Sequence, residues 1–164
     1  MGRSGETGYA TRCPSQAGEK GSEATVLFVG AFERQLDDKA RLALPAAFRD
    51  RLGDHCYLAK GLDKSVSVVP ADVFEEEAAI MTARVRNGEI SRDVLRALAA
   101  SASLAALDKQ GRVKIDDSLR QYAGLSLSDT VVVAGSFDRL EIWSPERYAR
   151  VDAAGTDSMA GDDE

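Results

Sequence analysis

Hydrophobic and polar positions follow the same pattern twice along this chain, 71 residues apart. Residues 36–49, LDDKARLALPAAFR, and residues 107–120, LDKQGRVKIDDSLR, share a leucine, an aspartate and two arginines at equivalent places. In each copy a polar tetrad is followed by alternating apolar residues, Leu42 and Leu44 or Val113 and Ile115. Such alternation is typical of a strand with one buried face, and the tetrad is typical of a turn. Each copy therefore predicts a strand, a turn, a second strand and a short helix.

The segments around the two copies complete a mixed pattern. Apolar runs at 56–59, 65–69, 130–134 and 139–143 predict strands, and residues 71–86, 91–101 and 145–151 predict helices. Two strand-rich units of roughly 50 residues are too small to be stable alone, which favours mutual burial. We expect one α+β domain with an approximate twofold axis. The first unit would span 26–70, the connecting helices 71–101 and the second unit 102–151, between a disordered head, 1–25, and a disordered acidic tail, 152–164.

Composition is that of an ordinary soluble protein. The chain is 44% hydrophobic and 29% charged, no apolar run approaches the roughly 18 residues of a membrane span, and the head lacks the apolar block of a secretion signal. We therefore expect a cytoplasmic protein without a membrane partner. The two cysteines, Cys13 and Cys56, do not indicate a disulfide framework. Cys56 is expected to be a small core residue.

The net charge of −6 is concentrated at the end of the chain. Residues 151–164 carry five acidic side chains and no basic one, whereas residues 26–150 carry 18 basic and 19 acidic side chains. A nearly neutral body can bind DNA if its cations converge on one surface, because the local potential attracts phosphate.

The repeated motifs resemble those of the MraZ family of bacterial transcriptional regulators. The most specific signals are the two Asp-x-x-x-Arg motifs, Asp37–Arg41 and Asp108–Arg112, and further landmarks are Gly61-Leu62-Asp63, the segment 121–125 and the segment 140–143. The resemblance covers nearly all of 27–151. It implies an AbrB-like fold of two tandem repeats that interlock by swapped hairpins, a ring-shaped homo-oligomer, and binding to short direct repeats in a promoter, usually that of the division and cell-wall gene cluster. It also implies association with the nucleoid.

Two features depart from the family pattern. Ala40 replaces the glycine that usually precedes the first arginine, whereas Gly111 is kept in the second motif. Family members usually start near Leu27, which leads to the hypothesis that residues 1–26 are a misassigned extension.

The side chains of the two motifs suggest how DNA would be bound. An arginine directly after a turn presents a rigid fork to a guanine edge or a phosphate, and a neighbouring lysine supplies a point charge. With the resemblance, this predicts five DNA contacts: Lys39, Arg41, Lys109, Gln110 and Arg112. Asp37 and Asp108 are expected to structure the turns. Arg49 and Arg120 are expected to make structural ion pairs.

Affinity must come from several copies acting together. One bidentate contact supplies only ~1–3 kcal/mol of discrimination, whereas copies arrayed around a ring gain from effective concentration. The helices within 71–101 are the candidate ring interface.

Other functions have weaker support. An AbrB-like antidote of a toxin pair and a protein-interaction scaffold are the alternatives. An enzyme is not expected, because His55 is the only histidine and no metal cluster, phosphate loop or nucleophile motif occurs. We expect no cofactor, no metal and no small-molecule substrate.

Overall fold

The computed structural model describes residues 27–161. The head with Cys13, the hypothetical extension and the last three acidic residues lie outside these residues. The strands are β1 (Ala31–Gln35), β2 (Arg41–Ala43), β3 (His55–Lys60), β4 (Val66–Pro70), β5 (Ser103–Ala106), β6 (Arg112–Lys114), β7 (Thr130–Gly135) and β8 (Leu140–Trp143). The helices are α1 (Ala46–Leu52), α2 (Ala71–Arg86), α3 (Arg92–Ser101), α4 (Asp117–Ala123) and α5 (Pro145–Ala160). The α+β class is confirmed.

The two units exchange their first strands. The main sheet is antiparallel with the order β1-β7-β8-β4-β3-β5, so β1 of the first unit pairs with β7 of the second, and β5 of the second unit pairs with β3 of the first. At the centre of the sheet Val66 pairs with Ile142 and Val68 pairs with Leu140. Val66 in the first unit corresponds to Leu140 in the second, and Val68 corresponds to Ile142. The register therefore stays the same when the two units are interchanged. The same is true of a separate two-stranded ribbon, β2–β6. The strands are thus related by an approximate twofold axis through both sheets.

One main core lies between the sheet and the ribbon. Leu42 and Val113 from the ribbon are fully buried, as are Leu140 and Ile142 from the centre of the sheet. Helices α1 and α4 close the sides of this core with Phe48 and Leu119, among others. The ribbon is therefore held by its inner apolar side chains, which leaves its outer side chains available for other contacts.

A hydrogen bond joins the two units beside the core. Tyr122 on α4 donates its hydroxyl hydrogen to the carbonyl oxygen of Gly61, at 2.7 Å. A Cβ atom on Gly61 would lie 2.4 Å from the hydroxyl oxygen of Ser65, so a side chain does not fit there without a shift. This contact brings together two of the short motifs that the family resemblance singled out.

The ends of the helices agree with sequence signals except in one place. Ser91 and Ser144 cap α3 and α5 by accepting hydrogen bonds from the backbone N–H groups three residues on. The expectation that α5 ends near residue 151 and that disorder follows is wrong for residues 152–160, which continue the helix. The segment contains no proline and three alanines, which favour a helix, and Gly155 is a weak breaker. The first two turns are also anchored, because Tyr148 and Val151 pack on Trp143.

The structure also shows the surroundings of Cys56 and His55 and the character of the helices. Cys56 is fully buried, as predicted, and burial raises the pKa of its thiol to about 11. His55 is exposed at the first residue of β3. Among the helices between residues 27 and 161, none has the length and apolar character needed to cross a membrane.

Strand exchange leads to a prediction about fragments. If the chain is divided at Gly88, in the turn between α2 and α3, each half lacks the strand that completes its hairpin. We expect the two fragments to be unfolded as separate monomers and to fold when mixed in equal amounts, as judged by far-ultraviolet circular dichroism. Cooperative unfolding of either fragment as an isolated monomer would contradict this interpretation.

Candidate nucleic-acid interface

The first turn, between β1 and β2, is organised by one carboxylate. One carboxylate oxygen of Asp37 accepts hydrogen bonds from the backbone N–H groups of Lys39, at 2.9 Å, and Arg41, at 2.8 Å. The other oxygen accepts a hydrogen bond from Nε of Arg41 at 2.9 Å. The same aspartate therefore holds the turn and the guanidinium that follows it.

The second turn has the same hydrogen bonds. Asp108 accepts from the backbone N–H groups of Gln110 and Arg112, both at 2.9 Å, and from Nε of Arg112 at 2.8 Å. In addition, Nη1 of Arg112 lies 3.9 Å from the carboxylate of Asp37 in the other turn. The two motifs, 71 residues apart in sequence, thus form one cluster.

Both arginines project from the outer face of the ribbon. Arg41 lies opposite Lys114, and Arg112 lies opposite Ala43, while Leu42 and Val113 between them point into the core. The side chains of Arg41 and Arg112 are 34% and 25% exposed. Within residues 27–161, the Nη atoms of Arg41 donate no hydrogen bond, and Arg41 forms an ion pair with no acidic residue other than Asp37. These Nη atoms are free to face a ligand while Nε stays fixed.

The remaining predicted contacts surround this pair. Lys39, Lys109 and Gln110 are exposed at the tips of the turns, and neither lysine forms an ion pair with a described residue. Lys114 is a further exposed cation on the same face that motif reasoning missed. Its signal in the sequence was its position two residues after Arg112, which puts both side chains on one face of a strand.

Hydrogen bonds in the turns lower the pKa of both aspartates. The pKa of Asp37 is lowered, chiefly because its carboxylate accepts a hydrogen bond from the backbone of Arg41, and the pKa of Asp108 is lowered by the equivalent bond from Arg112. A lowered pKa means that these bonds favour the folded turn above the ordinary pKa of a carboxyl group. Their contribution is lost only as the pH falls through the lower, folded value.

The turns differ at the residue before each arginine. Both residues have positive φ angles, 63° for Ala40 and 76° for Gly111. A Cβ atom on Gly111 would lie 2.3 Å from Nε of Arg49, which donates a hydrogen bond to the carbonyl of Leu44. At the equivalent place in the first turn, Ala40 stands where the second turn has Gly111, and Arg120 stands where it has Arg49. There, Nε of Arg120 is buried without a partner among the described residues.

Arg120 pairs instead with Asp117 on its own helix. The methyl group of Ala40 is itself buried. We therefore attribute the different position of Arg120 to the alanine that stands where the second unit has glycine.

The arrangement as a whole is a narrow cationic ribbon. Five cations, from Arg41, Arg112 and three lysines, lie on or beside it, against three carboxylates, from Asp37, Asp38 and Asp108. Two of these carboxylates are used to hold the arginines. In residues 27–161 no three His, Cys, Asp or Glu side chains are grouped as metal ligands.

Comparison with known proteins gives a family. A family model described as "MraZ protein, putative antitoxin-like" matches residues 27–84 and 98–163. The transcriptional regulator MraZ of Nocardioides sp. strain JS614 is 43% identical over 137 residues, which cover 84% of this chain and 94% of that protein. The proteins of the same name from Corynebacterium kroppenstedtii and Roseiflexus castenholzii are 41% and 38% identical, over 84% and 76% of this chain and 95% and 86% of their own lengths.

Fold and site together define an α+β protein of two similar units with a charged ribbon between them. The chain belongs to the MraZ family, because the family model matches both units and the relatives align along most of their lengths.

The asymmetry of the turns leads to a pair of matched substitutions. Ala40→Gly removes the strain of a left-handed alanine and makes room for Arg120, so we expect the free energy of unfolding to stay level or rise by up to ~1 kcal/mol. Gly111→Ala introduces that strain and crowds Arg49, so we expect a loss of ~1–2 kcal/mol or more. Urea denaturation measures both. A Gly111→Ala variant as stable as wild type would contradict the assignment.

Proposed function

We propose that this protein is a sequence-specific DNA-binding transcriptional regulator that inserts the outer face of β2–β6 into the major groove. The observation that carries the proposal is the outward pair Arg41 and Arg112, each held through Nε by its own aspartate. The major groove of B-DNA admits a two-stranded ribbon, and arginine is the commonest reader of guanine edges. The names of the relatives support regulation of transcription.

The side chains divide into two roles. Arg41 and Arg112 read base edges with their Nη atoms. Asp37 and Asp108 already restrict the side-chain rotamers of these arginines in the free protein, so less conformational entropy is lost on binding. Lys39, Lys109 and Lys114, at the rim, contact phosphates, which position the protein without reading sequence. Gln110 is placed to contact a neighbouring base.

Several features support the finer picture that the family resemblance implied. The exchange of first strands between the units is the kind of interlocking expected of an AbrB-like fold of swapped hairpins. Because a single ribbon supplies only a few base contacts, tight binding calls for several copies on evenly spaced direct repeats. We propose a ring-shaped oligomer acting in the cytoplasm, at the nucleoid, on the promoter of the division and cell-wall gene cluster.

Fluorescence anisotropy with labelled duplexes tests this function. Wild type is titrated into DNA from upstream of its own gene and into a scrambled duplex, across a salt series. Log affinity should fall linearly with log salt, at a slope of roughly −0.9 per phosphate contact. The Arg41→Ala/Arg112→Ala variant should lose the preference for the promoter duplex, at a cost of ~1–3 kcal/mol per arginine in each engaged copy.

A matched control is available outside the ribbon and outside the candidate ring interface. Lys64 is exposed in the loop between β3 and β4, and Arg150 is exposed on α5. The Lys64→Ala/Arg150→Ala variant removes the same charge and should keep wild-type preference. The proposal fails if wild type does not prefer its own promoter at any salt concentration, or if the two double variants behave alike.

A further inference from the structure

The outer face of the β2–β6 ribbon is formed by four side chains, of which one is uncharged. Arg41 and Ala43 point outward from β2, and Arg112 and Lys114 point outward from β6, because the residue between each pair is buried in the core. Ala43 is partly exposed and carries only a methyl group. The ribbon therefore presents three cations and one small apolar group to a ligand.

This apolar group breaks the approximate twofold symmetry of the outer face. Residues 71 apart in sequence are equivalent, so Arg41 corresponds to Arg112 and Ala43 corresponds to Lys114. Because the two strands are antiparallel, Lys114 lies opposite Arg41 and Ala43 lies opposite Arg112. One end of the ribbon thus has a lysine beside its arginine, and the other end has an alanine.

The pair of Ala43 and Arg112 is of the closer kind in an antiparallel ladder. Hydrogen-bonded pairs alternate with pairs that share no hydrogen bond, and side chains approach more closely in the second kind. The backbone N–H of Leu44 donates to the carbonyl oxygen of Gly111 at 3.1 Å, so Ala43 and Arg112, next to them, form a pair of the second kind. Cβ atoms of such pairs are roughly 5 Å apart. The methyl group of Ala43 therefore stands beside the stem of Arg112.

The packing of the ribbon does not account for an alanine at this position. Alanine is depleted in strands relative to β-branched and aromatic residues, and Ala43 is not part of the buried core. The major groove offers an apolar group of matching size, the C5-methyl group of thymine, and alanine is one of the side chains that contact it. A long side chain such as that of Lys114 would occupy the space that the thymine methyl group needs.

We propose that Ala43 is a specificity-determining residue, whose methyl group contacts the C5-methyl group of a thymine beside the guanine read by Arg112. The contact rests on the proposed function, because it requires the ribbon to lie in the major groove. Base pairs are stacked about 3.4 Å apart, so the thymine lies within about two base pairs of that guanine. Lys114 excludes the same contact at the other end, and each copy therefore binds its site in one orientation.

Single thymine-to-uracil substitutions test the contact, because uracil differs from thymine only in lacking the C5-methyl group. Fluorescence anisotropy is measured with the promoter duplex, with one uracil at a time placed in the segment that the protein protects. At one position in each bound element, uracil should lower the affinity of wild type by roughly fourfold for each engaged copy, as expected when one methyl group is no longer buried.

The position of the sensitive thymine is part of the test. Replacement of single guanines by 7-deazaguanine removes the N7 acceptor that an arginine fork uses. The guanine read by Arg112 is the one whose replacement weakens wild type but not Arg112→Ala. The sensitive thymine should lie within about two base pairs of it.

Two variants remove the apolar contact from the protein side. Ala43→Gly deletes the methyl group and should bind the thymine duplex as weakly as wild type binds the uracil duplex. Ala43→Ser keeps Cβ but adds a polar hydroxyl group, and it replaces the glycine variant if that variant has a lower melting temperature. Both should lose the difference between thymine and uracil at the sensitive position.

Two control variants should keep that difference. Ala31→Gly makes the same change at an exposed alanine of β1, outside the ribbon. Lys114→Ala removes a cation at the position equivalent to Ala43. It should make the salt dependence shallower by about 0.9, for one lost phosphate contact, and should still respond to uracil at the same position.

Four results would overturn the proposal: a protected segment in which no uracil weakens binding, a sensitive thymine far from the guanine of Arg112, an unchanged response to uracil in both Ala43 variants, or loss of the response in Ala31→Gly. Failure of the DNA proposal is distinguishable. A wild type without promoter preference removes both proposals, whereas promoter preference with any of these four results removes only the contact of Ala43.

Discussion

The pairing of each unit's first strand with the other unit's hairpin is the constraint on which the rest of this structure depends. With β1 beside β7 and β5 beside β3, neither unit can complete its sheet without the other. Each first strand leads directly into a turn and a ribbon strand, so the exchange also carries β2 and β6 to the same place. Their mutual pairing, and the burial of Leu42 and Val113 beneath it, follow from that topology.

The chemistry of the ribbon follows from the same arrangement. Because the inner side chains of the ribbon are committed to the core, the outer ones can be charged without loss of stability. The two aspartates satisfy the turn backbone and fix the arginines through Nε, so that the remaining guanidinium nitrogens stand in a defined geometry before any ligand arrives. Preorganisation of this kind lowers the entropic cost of binding. The repeat in the sequence is thus an arrangement for placing two similar forks side by side.

Local sequence signals predicted much of this fold. The bounds of α2, the starts of α3 and α5 to within one residue, and the polar turn in each repeated motif could be read from periodicity and turn residues. The strand exchange could not, because alternation gives the face of a strand but not its partner. It entered only as an implication of the family resemblance.

Other features could not be predicted from the sequence, for physical reasons. The length of α5 was underestimated because acidic residues and Gly155 resemble a tail, although packing on Trp143 anchors the helix. Lys114 was missed because it has no counterpart in the first motif, where Ala43 stands. The buried Nε of Arg120 has no hydrogen-bond partner among the described residues because of its contact with Ala40 in the other unit. A contact between the two units cannot be predicted from a local sequence pattern.

Lysine acylation footprinting tests most directly whether the ribbon is the DNA-binding surface. Lys39, Lys109 and Lys114 surround the arginine pair, while Lys64 is exposed in the loop between β3 and β4, outside the ribbon. With the duplex from upstream of the gene, the three ribbon lysines should be modified more slowly than with a scrambled duplex, and Lys64 should react at the same rate with both. Unchanged modification of the ribbon lysines in a complex that has formed would contradict the account.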